Sequence, residues 1–233
     1  MRLLVSPMNI EEAGLALAGG ADILDVKNPK EGSLGANFPW AIRAVAELAG
    51  GRVPVSATIG DLQYKPGTAS LAALGAAYAG ADYIKAGLLG IKTGEEARDM
   101  LQNIVRSVKD FDSKKKVVAA AYSDHLRVGS ISPMLLPQVA RDCGADVVMV
   151  DTAVKDGRST FEFMNQQDLE EFVKAGQDLG LEVALAGTIK FADLEMISQI
   201  DPDIIGVRGV VCGGDRNTSI RRELVMQLKE AIS

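Results

Sequence analysis

Apolar residues in this chain come in short, nearly unbroken runs, separated by longer segments in which they recur every three or four positions. Eight runs stand out: RLLVSP (2–7), GGADILDVK (19–27), RVPVSATIG (52–60), AGADYIKAG (79–87), KVVAAAY (116–122), CGADVVMVD (143–151), LEVALAGT (181–188) and IDPDIIGVRG (200–209). Runs rich in Val, Ile and Leu without strict alternation are expected of parallel strands covered on both faces. Helical periodicity fills the gaps, over 9–19, 39–49, 67–79, 94–110, 133–142, 167–179, 190–199 and 218–231. Pro39, Pro66, Pro133 and Pro137 fall near the predicted helix starts, where a missing N–H costs little.

The even-numbered runs repeat one another. Each has a turn or small residue, an aspartate, and an apolar stretch ending in Gly or a polar residue. The aspartates Asp22, Asp82, Asp146 and Asp203 are 60, 64 and 57 residues apart. One period therefore holds two strand–helix units. Eight alternations without a linker or low-complexity segment predict one α/β domain over 1–233, a (β/α)8 barrel of the TIM type. An open doubly wound sheet fits less well, because no Gly-rich dinucleotide fingerprint follows the first run.

Strand alternation then divides each even run into two faces. One face reads Leu24, Val26; Ile84, Ala86; Val148, Val150; Ile205, Val207, and is wholly apolar. The other reads Ile23, Asp25, Lys27; Tyr83, Lys85, Gly87; Val147, Met149, Asp151; Ile204, Gly206, Arg208, and carries every charge. These charges are expected inside the barrel near the C-terminal strand ends, where sites in this fold are built. Satisfied ion pairs, such as Asp25–Lys85 and Asp151–Lys27, are the plainer explanation for any one of them. Five charges converging on the functional end favour chemistry.

Composition narrows the chemistry. The net charge of −6 argues against nucleic-acid and anionic-membrane partners, though not against small anions drawn by local charge. Two cysteines, Cys143 and Cys212, without a CxxC or Cys/His cluster, fit a reducing cytoplasmic setting and no structural metal. The only histidine, His125, would have to carry any Ser-His-Asp system alone. A metal between Asp25 and Asp151 would be repelled by the nearby lysines. No cofactor is expected.

Lysine chemistry fits better. A buried lysine near other cations has a depressed pKa, which leaves a neutral amine able to attack a carbonyl. Lys27 and Lys85 meet that condition, with Asp25, Asp151 and Lys155 (in DTAVKDGRST) beside them. The loops after the seventh and eighth runs, AGTI and RGVVCGGDRNTS, suit a phosphate. Gly187, Thr188, Gly209, Gly213 and Gly214 would bring backbone N–H groups to it, with Arg208 or Arg216 supplying charge. Lys30 and Glu31, in NPKEGSLGANFP after the second run, read as rim charges of a loop over the mouth.

LLVSPMNIEEA, GGADILDVKNPKEGSLGANFPW, VSATIGDLQYKPGT, SLAALGAAYAGADYIKAGL, DTAVKDGRS, VALAGTI and GVRGVVCGGDRN together resemble the (5-formylfuran-3-yl)methyl phosphate synthases, from residue 2 to about 224. The resemblance implies condensation of two glyceraldehyde 3-phosphate molecules into 4-(hydroxymethyl)-2-furancarboxaldehyde phosphate, in methanofuran biosynthesis. It implies Lys27 as Schiff-base nucleophile, Lys85 as proton acceptor, Asp25, Asp151 and Lys155 in support, and a phosphate on the loop after the eighth strand. A class I aldolase, a phosphosugar isomerase and a noncatalytic sugar-phosphate-binding protein are the competing readings. The expected partner is a phosphorylated aldehyde, and a homo-oligomer through outer helices is expected.

Overall fold

The computed structural model of the chain describes residues 1–233. Eight strands pair in chain order into a closed parallel barrel: β1 (Arg2–Val5), β2 (Ile23–Val26), β3 (Val55–Asp61), β4 (Tyr83–Gly87), β5 (Lys116–Tyr122), β6 (Val147–Asp151), β7 (Glu182–Leu185) and β8 (Ile204–Val207). Around it run α1 (Ile10–Ala18), α2 (Pro39–Ala49), α3 (Pro66–Tyr78), α4 (Gly94–Phe111), α5 (His125–Val128), α6 (Leu136–Cys143), α7 (Gln166–Asp178), α8 (Leu194–Ile200) and α9 (Arg222–Ala231). The expected barrel is therefore present. The short α5, in the loop after β5, is additional to the predicted helices, since four residues carry too little periodicity to register. No helix is long and apolar enough to cross a membrane.

Local chemistry sets the helix starts. The Asn9 and Thr93 side chains accept the N–H groups of Glu12 and Glu96, and Asn165 forms a reciprocal capping box with Asp168. Prolines open α2 and α3. The two-faced reading of the even strands also holds. Leu24, Val26, Ile84, Ala86, Val148, Val150, Ile205 and Val207 join the core between strands and helices. Ile23, Tyr83, Val147 and Ile204 form a separate apolar layer within the barrel, and Met149 packs on it from above.

The repeated aspartate has a structural cause. Asp22, Asp82, Asp146 and Asp203 each accept, through Oδ2, the N–H of a residue on the preceding odd strand: Leu3, Val55, Val117 and Val183, at 2.7, 2.9, 2.8 and 2.8 Å. The carbonyls of Asp82, Asp146 and Asp203 accept the N–H groups of Lys116, Glu182 and Arg2 on the next odd strand. Each aspartate thus clamps neighbouring strands at the N-terminal rim, and Asp203 does so where the barrel closes onto β1. Inside that rim, Glu182 pairs with Arg2 and Lys116, and Arg2 donates to the Tyr83 hydroxyl.

At the opposite end, the loop between β2 and α2 is fastened down rather than left as a free flap. Asp61 accepts the Leu34 N–H, Thr58 donates to the Gly35 carbonyl, and Ser33 donates to the Thr152 carbonyl. Leu34 is fully buried and packs in the barrel interior beside Tyr122. The room for it comes from Gly87, where a Cβ would collide with the Tyr122 hydroxyl and Asp61. Tyr122 donates to Asp61, and burial together with the Asp61 charge pushes its phenol pKa well above the usual value.

The rim clamps lead to an expectation. Asp203→Ala leaves the Val183 N–H without its acceptor, so urea unfolding should show a loss of about 1–2 kcal/mol, with activity in the folded protein retained.

Candidate active site

Three layers of interior side chains rise toward the C-terminal end of the barrel. The lowest is apolar. The middle layer from the even strands is Asp25, Lys85, Met149 and Gly206, and the top layer is Lys27, Gly87, Asp151 and Arg208. Strand register sets Asp25 beside Ser56 and Lys85 beside Thr58. Asp25 has no solvent exposure and accepts three hydrogen bonds, from Lys85 Nζ at 2.7 Å, Ser56 Oγ at 2.7 Å and Ser6 Oγ at 3.0 Å. Burial pushes its pKa up. The charges of Lys85 and Lys27, with the hydrogen bonds from Lys85 and Ser56, more than offset this and hold the carboxyl below its ordinary value.

On the other side, Asp151 Oδ1 accepts Lys155 Nζ and the Thr152 N–H, and Lys155 also donates to the Thr152 hydroxyl. Burial again raises the Asp151 pKa, and Lys155 and Lys27 outweigh it to leave it lowered. Of the two ion pairs anticipated, Asp25–Lys85 forms and Asp151–Lys27 does not, because Lys155 takes that carboxylate. Lys27 is the residue left over. It is 7% exposed, and its Nζ has neither a hydrogen bond nor an ion-pair partner. Burial, aided by the like charges of Lys85 and Lys155 and opposed by Asp151 and Asp25, lowers its pKa to about 7.

Lys27, Lys85, Asp151 and Lys155 line a cavity of about 240 Å3 that runs on to the loops after β7 and β8. The opening depends on Gly206, which puts no side chain between Met149 and Ala186. Gly187 and Thr188 follow each other in the left-handed region, with φ of 99° and 55°. A Cβ on Gly187 would strike Thr160 Oγ1 and crowd the Thr152 N–H. Thr188 is β-branched, so this conformation costs on the order of 1–3 kcal/mol. The N–H groups of Gly187, Thr188 and Ile189 have no acceptor within the protein, and all three residues line the cavity. Successive free N–H groups in such a turn suit an anion.

Gly209 and Gly214 also line the cavity, whereas Gly213 does not and serves the turn behind it. Arg208 lines the cavity, but its guanidinium is committed elsewhere. It donates to both Glu12 carboxylate oxygens, at 2.8 and 3.3 Å, and to the carbonyls of Ser6, Arg216 and Thr218. Those contacts use all five of its N–H donors. Arg208 therefore holds the loop after β8 against β1 and α1 and has no N–H left over for a ligand, in contrast to Arg216. Arg216 is half-buried, has one hydrogen bond, to the Gly32 carbonyl at 3.3 Å, and has no carboxylate partner.

Sequence reasoning missed Ser6, Ser56 and Glu12. Ser56 lies on β3 and Ser6 directly follows β1, odd strands where no repeated aspartate fixes the alignment. Glu12, an acid at a position α1 turns inward, carried a signal that could have been read. His125 lies outside the cavity, its ring 3.4 Å from the Ser123 carbonyl. Cys143 and Cys212 are buried and unpaired, and burial raises the Cys212 thiol to about 11.

The lowered Lys27 pKa fixes two signs. Folding moves it from 10.5 to about 7, so between those values the unfolded chain binds more protons and this residue's contribution to stability rises with pH. Below about 7 the buried ammonium carries the full burial cost. The neutral amine dominates above about 7, so modification of Lys27 by an amine-directed reagent, followed by peptide mass spectrometry, should rise across pH 6–8. Asp151→Asn removes the carboxylate that most favours the ammonium and frees Lys155, so it should shift that midpoint to lower pH.

Comparison with known proteins agrees with this architecture. The model of the family described as 4-HFC-P synthase matches residues 3–229. The (5-formylfuran-3-yl)methyl phosphate synthase of Methanosarcina acetivorans is 65% identical, over 98% of this chain and 97% of its own length. The protein of that name from Archaeoglobus fulgidus is 60% identical, over 100% of this chain and 99% of its own. Among solved structures, a 3-hexulose-6-phosphate synthase superposes with a TM-score of 0.64, covering 100% of this chain and 100% of that one. At 19% identity it attests the fold alone. The chain belongs to the 4-HFC-P synthase family and is an enzyme of the (5-formylfuran-3-yl)methyl phosphate synthase type.

Proposed function

We propose that the enzyme joins two molecules of glyceraldehyde 3-phosphate into 4-(hydroxymethyl)-2-furancarboxaldehyde phosphate, through a Schiff base on Lys27, in methanofuran biosynthesis. The observation that carries this reading is the Lys27 amine. It is buried and unpartnered, its pKa is near 7, and it shares a cavity with an unfilled row of backbone N–H donors. A triose phosphate bound with its phosphate on Gly187, Thr188 and Ile189 leaves its carbonyl end for Lys27.

The neutral amine adds to the carbonyl to give a carbinolamine. Lys85, an ammonium paired with Asp25, donates a proton to the departing hydroxyl, and water leaves as the iminium forms. Lys85 is now neutral and accepts the proton from the adjacent carbon, whose C–H the iminium has acidified. The enamine carbon attacks the second aldehyde, and the Lys155 ammonium, oriented by Asp151, protonates the new alkoxide. Water releases the amine, a hydroxyl then adds to a carbonyl to close the ring, and loss of inorganic phosphate and of water makes it aromatic. Two triose phosphates less one phosphate and two waters leave the six-carbon furan monophosphate, so no oxidant or reductant enters.

A class I aldolase or a phosphosugar isomerase would use the same lysine and phosphate contacts. It would release an aldol or a ketose, without a conjugated furan chromophore. A noncatalytic binder would tolerate Lys27→Arg and form no covalent adduct.

Borohydride reduction in the presence of glyceraldehyde 3-phosphate should add a triose-derived mass to the Lys27 peptide. Product absorbance should appear with the native enzyme and be abolished in Lys27→Arg. An adduct elsewhere, or undiminished product from Lys27→Arg, would refute the reading. Lys85→Met should stop turnover and also destabilise the fold by about 3–5 kcal/mol, since it strands the Asp25 charge in the barrel.

A further inference from the structure

Beside the cavity that holds Lys27 lies a second cleft, more open to solvent, of about 370 Å3. Its walls come from the loop after β2 (Pro29, Lys30, Gly32 and Ser33), from the loop after β6 (Ala153 and Lys155), and from Arg216 and Asn217 after β8. Lys155, Arg216 and Asn217 line both spaces, so the two adjoin. No aspartate or glutamate lines the second cleft, whereas three cations do.

The cations differ in what holds them. Lys155 is neutralised by Asp151. Lys30 is exposed, and its ammonium pairs with nothing; its neighbour Glu31 accepts from Asn28 instead. Arg216 stands between the two spaces with four N–H donors unused, since its single bond goes to the Gly32 carbonyl. Asp215, the nearest acid in sequence, lines the first cavity and accepts the Asn217 N–H. Keeping a half-buried guanidinium without a counterion is costly unless an anion arrives to meet it.

We infer that this cleft is a second phosphate-monoester subsite, formed by Lys30 and Arg216, which holds the phosphate of the second aldehyde while the first is bound to Lys27. The assignment of that occupant rests on the proposed function above; the anion subsite itself rests on the charges and shape of the cleft. Two identical substrates meet in one barrel, and a single phosphate site could hold only one of them. With the backbone N–H row taking the first phosphate and Lys30 the second, Arg216 reaches both. The second aldehyde then lies beside Lys155, the one proton donor shared by the two spaces. Lys30, which reads from sequence as a rim charge, becomes a substrate-binding residue.

The test combines binding and turnover. Inorganic phosphate titrated calorimetrically should fill two sites per chain in the native enzyme. Lys30→Gln should weaken one of them by about tenfold, and Arg216→Gln should weaken both. Lys30 is exposed, so its substitution leaves the fold intact. Borohydride trapping at Lys27 should proceed at the native rate in Lys30→Gln, while furan formation at low glyceraldehyde 3-phosphate falls about tenfold and recovers as substrate is raised. Native phosphate binding and turnover in Lys30→Gln would overturn the subsite, as would an equal loss of trapping and product. If Lys30→Gln loses one phosphate but the native enzyme forms no Lys27 adduct, the second anion site stands and the Schiff-base reading falls.

Discussion

The buried contact between Lys85 and Asp25 governs the charge state of the site above it. A carboxylate with no solvent exposure, fixed by two serine hydroxyls and one ammonium, makes no direct bond to Lys27. Lys155 satisfies Asp151 in the same manner. Asp25 and Asp151 are thus spoken for, and the third lysine is left buried among charged neighbours without a direct partner. Desolvation then outweighs the attraction of Asp151 and Asp25 at Lys27, helped by the like charges of Lys85 and Lys155. An unpaired lysine is useful here because the neighbouring pairs are complete.

The end of the cavity at the loops after β7 and β8 follows a different rule. There the donors are backbone N–H groups, held ready by two successive left-handed residues, one of them a threonine that would relax elsewhere. Arg208 contributes by fastening, with five hydrogen bonds that fix the loop after β8 against the neighbouring β1 and α1. Arg216, carried on that loop, remains free to meet ligand. A rigid arginine thus positions a responsive one.

Much of this was legible in the chain. Eight apolar runs and a repeated aspartate predicted the barrel, and alternation alone placed Asp25, Lys27, Lys85 and Asp151 inside it. Pairing was not legible, because it depends on which side chains reach one another across the interior. Alternation cannot tell that Lys155, four residues beyond Asp151, folds back to claim it. Nor could it find Glu12, whose hold on Arg208 depends on how α1 packs. The glycines of the last loop read as one group, yet they divide into those that face the cavity and one that only makes the turn.

The four rim aspartates separate two properties that enzymes often have to trade against each other. The hydrogen bonds that clamp neighbouring strands lie at one end, and the strained, partly unpaired groups of the candidate site lie at the other, with an apolar layer between them. Changes at the closed end can harden or soften the protein toward heat without disturbing the electrostatics of Lys27. A lineage moving between cool and hot habitats could therefore adjust its thermal endurance at the foot of the barrel and keep one unaltered reaction chamber.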